Sequence, residues 1–176
     1  MKRLSVIYGS AAGALIIGSA VLSASLSGTS THLAEMEWLG YLVMIVALSS
    51  IFLGVKRYRD GDLGGVIRFG SAFLMGLGIT TVASIIYVAV WELYLLVTDY
   101  AFIEAYTSSV LAAMEADGVA AGVLDAEAAK MEAMKEQYAN PLFRIPVTFL
   151  EIFPVGLLIT LISAAVLRNP KVLPAR

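Results

Sequence analysis

Four apolar segments, at approximately residues 5–26, 38–55, 69–97 and 145–167, leave this chain little choice of environment. Each is near the ~20 residues a helix needs to cross a hydrocarbon core of about 30 Å. In lipid every backbone N–H and C=O must find its partner within the segment, so such stretches are helices; transmembrane strands are shorter and alternate in polarity. Composition agrees, with 59% of the 176 residues hydrophobic and 15% charged, where a soluble domain carries roughly a quarter charged. The expected fold is all-α: an integral membrane four-helix bundle forming one membrane domain over residues 1–176. The third segment is long enough to tilt or to project beyond the bilayer.

Basic residues orient the bundle, because short cytoplasmic segments keep an excess of Lys and Arg. Lys2 and Arg3 precede the first span, Lys56, Arg57, Arg59 and Arg68 separate the second from the third, and Arg168, Lys171 and Arg176 follow the fourth. These are nine of the twelve basic residues. Acids such as Glu35, Glu37, Asp99, Glu104, Glu115 and Asp117 fall in the two opposite connections. Both termini are therefore expected in the cytoplasm.

The opening MKR, an apolar run and the small-residue stretch SASLSG also resemble a cleavable signal peptide. A retained helix is preferred, because the apolar part exceeds a usual signal core and its loss would leave three spans with the amino terminus outside. Gly9 and Gly13 stand at GxxxG spacing, followed by Ser19, Ser23 and Ser27, a pattern that permits close helix packing and self-association.

Residues 98–144 are too long for a simple turn and read as an extracytoplasmic helical hairpin. The first helix, from about Tyr100 to Glu115, carries Ile103, Tyr106, Val110 and Met114 on one side and stops near Asp117-Gly118. Asp125 is the expected cap of the second, with Leu124, Ala128, Met131, Met134 and Tyr138 on one face and Asn140-Pro141 as its end. Such a hairpin packs on itself or on headgroups, or else offers a docking surface of adaptable methionines.

Several stretches together resemble a known family: LGVKRYRDGDLGGVIRFGSAFLMGLGIT, continuing into VASIIYVAVWELYL, and later NPLFRIPVTFLEIFPVGLLITLISAAVLRNP. A basic KRYRD, a Gly-Gly turn, FGSAF at a helix start, WE in the third span and EIFPVG in the fourth resemble the bacterial domain-of-unknown-function family numbered 4199. The resemblance implies a small four-helix protein of the bacterial inner membrane and brings no established activity.

Glu92 and Glu151 each interrupt an apolar span. Counted from the expected external ends, Val97 and Ile145, both lie roughly 8 Å deep at 1.5 Å per residue, on helices of opposite direction. Isolated charges there are costly, so each carboxylate must be neutral, paired or snorkelling. Arg144 is the nearest cation, about two turns above Glu151, while Tyr87, Trp91 and Tyr94 supply rings and donors. Two readings remain open. One is a proton or cation site in which close glutamates titrate as a unit, with Thr81 and Gly78 extending a polar path inward. Pro154, which leaves the Leu150 carbonyl without its helical partner, would add a kink beside Glu151. The other is a helix-pairing site in which the glutamates hydrogen-bond to tyrosines or Arg144 and hold the helices in register.

Lys56, Arg57, Arg59 and Arg68 form a cytoplasmic patch that serves topology or holds an anionic lipid headgroup. Asp60 and Asp62 with Gly61, Gly64 and Gly65 read as a turn; the glycines lack the spacing and lysine of a phosphate loop. With no cysteine, a lone His32, no HExxH and no GxSxG, neither a metal site, a cofactor nor an enzymatic activity is expected. The expected function is that of a non-catalytic structural or accessory protein of a membrane assembly. A small proton- or cation-coupled transporter or channel using Glu92 and Glu151 is the alternative. Its expected partners are the lipid bilayer and a membrane protein or further copies of itself, and no nucleic acid.

Overall fold

The computed structural model describes residues 1–26 and 37–175. His32, Glu35, Ser27 and Arg176 lie outside the described residues. The described residues form seven helices and no strand: α1 Lys2–Leu26, α2 Glu37–Leu48, α3 Ser50–Asp62, α4 Phe69–Val97, α5 Ala101–Ala116, α6 Ala121–Ala139 and α7 Pro141–Leu167. Four stretches are long and apolar enough to cross a membrane: Lys2–Ser23, Trp38–Asp62, Phe69–Val97 and Pro141–Leu167.

The second span is longer than its apolar run. Ser49 keeps helical angles between α2 and α3, and both its N–H and its hydroxyl donate to the Ile45 carbonyl, at 2.9 and 2.8 Å. The helix then continues through the basic run to Asp62, helped by the Lys56–Asp60 pair at i,i+4. Asp60, Gly61 and Asp62 are thus helical, and the turn is confined to the residues after them. Gly64 and Gly65, at φ 68° and 92°, make it in a region where side chains are strained. The turn closes when the Gly65 N–H donates to the Arg59 carbonyl at 2.9 Å.

The connection from α4 to α5 has no glycine, yet Asp99 and Tyr100 both adopt left-handed angles, φ 49° and 61°. The Tyr100 N–H donates back to the Leu95 carbonyl at 2.9 Å, pairing one carbonyl at the helix end. Between α5 and α6, Gly118 takes the left-handed position (φ 71°) and the Val119 N–H reaches the Met114 carbonyl at 3.1 Å, a Schellman-type end. Helix α6 begins at Ala121 with Ala120 as its cap, so Asp125 lies within the helix rather than capping it. Alanines there propagate the helix without help from a side-chain cap.

Asn140 ends α6 and starts α7: its side chain accepts from the Leu142 N–H at 3.0 Å, and Pro141 occupies the first helical position. The fourth span therefore begins at Pro141, ahead of Ile145, and runs unbroken through Pro146 and Pro154. In the hairpin, Ile103, Tyr106, Val110 and Met114 of α5 and Leu124, Ala128, Met131, Met134 and Tyr138 of α6 are all half-buried, while most of the remaining hairpin positions are exposed. Met134 also lines a chamber against the membrane helices. Lys135 crosses to Glu104 at 2.7 Å, and the carboxylates of Glu104 and Glu132 hold its ammonium above its ordinary pKa.

Helices α1 and α4 run side by side in the same direction, with α7 antiparallel against α4. A Cβ on Gly9 would lie 2.6 Å from Val82 Cβ, and one on Gly13 would lie 2.8 Å from the Ala83 carbonyl oxygen. The GxxxG face of α1 is consequently occupied by α4 inside the bundle and is not free for self-association.

Candidate functional site: a carboxylate chamber beneath the hairpin

Arg144 stands in the first turn of α7 with its side chain 1% exposed. Its Nε and Nη2 donate to Glu92 Oε1 and Oε2 at 2.7 and 2.6 Å, a bidentate pair joining α7 to α4. Nη1 donates to the Tyr138 carbonyl at 2.8 Å, and the guanidinium lies 5.1 Å from the Tyr100 ring centre and 5.7 Å from that of Tyr138. The left-handed turn at Asp99-Tyr100 is what brings the Tyr100 ring to this place. A fully covered arginine is tolerated because its donors and its charge are matched on every side.

Around this pair the rings form a continuous cluster. Trp91 Nε1 donates to the Tyr138 hydroxyl at 2.8 Å; its ring stacks on Tyr94 at 5.4 Å and meets Phe102 edge-on at 4.9 Å. Burial raises the Tyr138 pKa, so the hydroxyl stays neutral and accepts the indole proton.

Glu151 does not face Glu92. The Tyr87 hydroxyl donates to its Oε2 at 3.2 Å, and this is its one hydrogen-bonding partner among the described residues. The reason is the true start of α7. Measured from Pro141 rather than Ile145, Glu151 lies ten residues or about 15 Å along its helix, whereas Glu92 lies about 8 Å from the end of α4. Arg144 therefore reaches across to Glu92, and Tyr87, also ten residues from its helix end, meets Glu151 deeper in. The expectation that the two glutamates sit at one height is corrected accordingly.

Tyr87 and Glu151 line a chamber of about 610 Å³. Its walls come from α1 (Ile16, Ala20), α2 (Val43, Met44), α4, α7 and the inner face of the hairpin (Phe102, Met134, Tyr138). That volume lies in the range of small-molecule sites.

On the other side of the chamber α4 and α7 interlock. Thr80 and Thr160, both fully buried, meet hydroxyl to hydroxyl at 3.1 Å. Each threonine also covers a glycine of the opposite helix: a Cβ on Gly76 would lie 2.7 Å from Thr160 Cγ2, and one on Gly156 would press on Thr80 Cγ2. The polar path expected from Thr81 and Gly78 is not formed. Thr81 Oγ1 donates to the Leu77 carbonyl of its own helix at 2.9 Å, and Gly78 is packed against Ser5 of α1. Sequence reasoning missed this interlock, whose signal was the near-repeat GLGIT at 76–80 and GLLIT at 156–160. It missed Tyr100 and Tyr138 as arginine partners too, and no local pattern pointed to them.

The basic patch divides in two. Arg57 and Arg68 are exposed, but Arg59 is wholly buried. Its guanidinium pairs with Asp60 at 2.6 Å, donates to the Val172 carbonyl at 2.9 Å and to that of Leu173, and reaches the Leu167 carbonyl at the end of α7 at 3.5 Å. Arg59 is thus a clamp on the carboxyl-terminal segment, placed where a helix end favours a cation, and not a surface charge.

Four apolar helices and a chamber capped by a helical hairpin define a multi-pass helical membrane protein. Over residues 7–169 the chain matches the family described as protein of unknown function (DUF4199), and it belongs to that family. No curated protein and no solved structure matches it.

Proposed function

We propose that this chain is a non-catalytic accessory protein of the bacterial inner membrane that helps to assemble or regulate a partner in the same bilayer. Both termini are cytoplasmic in this reading, and the α5–α6 hairpin is extracytoplasmic. The observation that carries it is the Gly76–Thr160 and Gly156–Thr80 interlock. It brings α4 and α7 into contact between Glu151 and the Arg59 end, where a conduit for ions would need open space. Glu92, Arg144, Trp91 and Tyr94 then act as a helix-pairing site, and exposed Arg57 and Arg68 as contacts for anionic headgroups.

Topology is tested with single cysteines, which the described residues do not otherwise contain. Cysteine at Glu127 should label in intact cells and cysteine at Asp62 only after permeabilisation; the reverse pattern refutes the orientation. Capture from mild detergent extracts should return one stoichiometric membrane partner, and repeated capture of the chain alone as a monomer counts against the accessory role. Liposomes holding the purified protein should keep an imposed proton gradient. A leak abolished by Glu151→Gln would favour the transporter instead.

A further inference from the structure

The chamber holds one carboxylate among rings. Trp91, Phe102, Tyr138 and Phe143 contribute to its walls, and Tyr87 donates the one hydrogen bond that Glu151 accepts among the described residues. Arg144, the nearby cation, is fully engaged with Glu92 and the Tyr138 carbonyl, so it does not serve Glu151. Glu151 is exposed beside these apolar walls, where an ionised carboxylate attracts a cation, and a small hard metal ion would find one acidic ligand and otherwise only hydroxyls, those of Ser19, Ser23, Tyr87, Tyr106 and Tyr138. Ring faces carry negative charge and attract poorly hydrated organic cations, which also gain by leaving water for apolar walls.

We propose that the chamber binds a lipophilic organic cation, of the quaternary ammonium or phosphonium class, with its charge at Glu151 and its body against the hairpin rings. The site is independent of whether the chain has a protein partner. The hairpin contributes one wall through Phe102 and Tyr138, so occupancy ties α5 and α6 to the membrane helices.

The test uses the full chain in detergent with Trp38→Phe, which leaves Trp91 as the single indole of the two present. Trp38 is 66% exposed at the start of α2, and Trp91 lines the chamber. Tetraphenylphosphonium is the probe and tetraphenylborate, of similar shape and opposite charge, its control. Saturable quenching of Trp91 by the phosphonium is expected, with affinity at least about tenfold weaker in Glu151→Gln and the borate binding no better than to Glu151→Gln. Ala20→Phe, which fills the chamber from α1 and leaves Glu151 and Tyr87 untouched, should abolish the response while helicity by circular dichroism is kept. Absence of saturable binding overturns the proposal. So does equal affinity for the borate, undiminished affinity in Glu151→Gln, or binding that survives in a folded Ala20→Phe protein. None of these results bears on capture of a protein partner.

Discussion

Replacing Arg144 by methionine removes the one cation that pairs with Glu92 among the described residues and keeps much of the stem volume. Breaking a buried ion pair from one side costs about 3–5 kcal/mol, because the remaining charge is left unpaired. Glu92 retains 20% side-chain exposure, so water or headgroups reach it and the lower end of that range applies. The two ring contacts to Tyr100 and Tyr138 add about 0.5–1 kcal/mol each. A loss near 4 kcal/mol is expected for Arg144→Met. Insertion scales set an upper bound of about 2.5–3.5 kcal/mol for a stranded charge at a helix centre, and Glu92 lies nearer the end of α4. The double variant Glu92→Leu with Arg144→Met has no stranded charge and should be more stable than Arg144→Met alone by at least ~2 kcal/mol. Equilibrium unfolding in mixed micelles, monitored by circular dichroism, measures wild type, each single variant and the double variant. A cost below about 1 kcal/mol for Arg144→Met, or a double variant as unstable as the sum of its singles, would show that the pair does not hold α4 to α7.

Gly156→Ala places a methyl against Thr80 in a fully buried interface and should cost about 1–3 kcal/mol, with Thr80→Ser in the same chain restoring part of it by removing Cγ2. Thermal melting of the two variants in detergent decides this. Arg59→Met should free the segment around Val172 and Leu173, read as faster carboxyl-terminal proteolysis with the membrane helices unchanged by circular dichroism. Protection that equals wild type would contradict the clamp. Alkaline pH should loosen the hairpin. Lys135 and Tyr138 both have pKa values raised by folding, from ordinary values of 10.5 and 10.0, so the folded hairpin binds more protons than the unfolded one above about pH 10. Their contribution is complete below those values and is lost as pH rises through the raised ones. Amide exchange of α5 and α6 should accordingly be insensitive to this linkage from pH 6 to 9, after correction for intrinsic rates, and show lost protection above 10.

How much of the site was legible follows from the range over which each residue acts. Asn140-Pro141 contains both the end of α6 and the start of α7, yet the apolar run alone placed that start at Ile145, four residues late. The error moved Glu151 to the height of Glu92 and paired the wrong groups. Likewise the basic KRYRD run suggested a loop, because charge was taken to end the helix; water-facing charges end a span but not a helix. Arg59 then looked like its neighbours Arg57 and Arg68, since nothing local distinguishes a cation that meets residues more than a hundred positions away.

Span number, the two hairpin helices and the concentration of basic residues at one end are properties of consecutive residues, governed by the bilayer's thickness and by helix periodicity, and the sequence by itself determined them. Which donor meets which carboxylate depends on how antiparallel helices are offset and rotated against each other. The Gly76–Thr160 and Gly156–Thr80 contacts set that offset for α4 and α7, and the left-handed turn at Asp99-Tyr100 set the approach of the hairpin. Only the tertiary structure therefore decided that Arg144 belongs to Glu92, and that Glu151 faces a chamber rather than a partner charge. A shift of one helical turn, about 5.4 Å, is enough to exchange those partners.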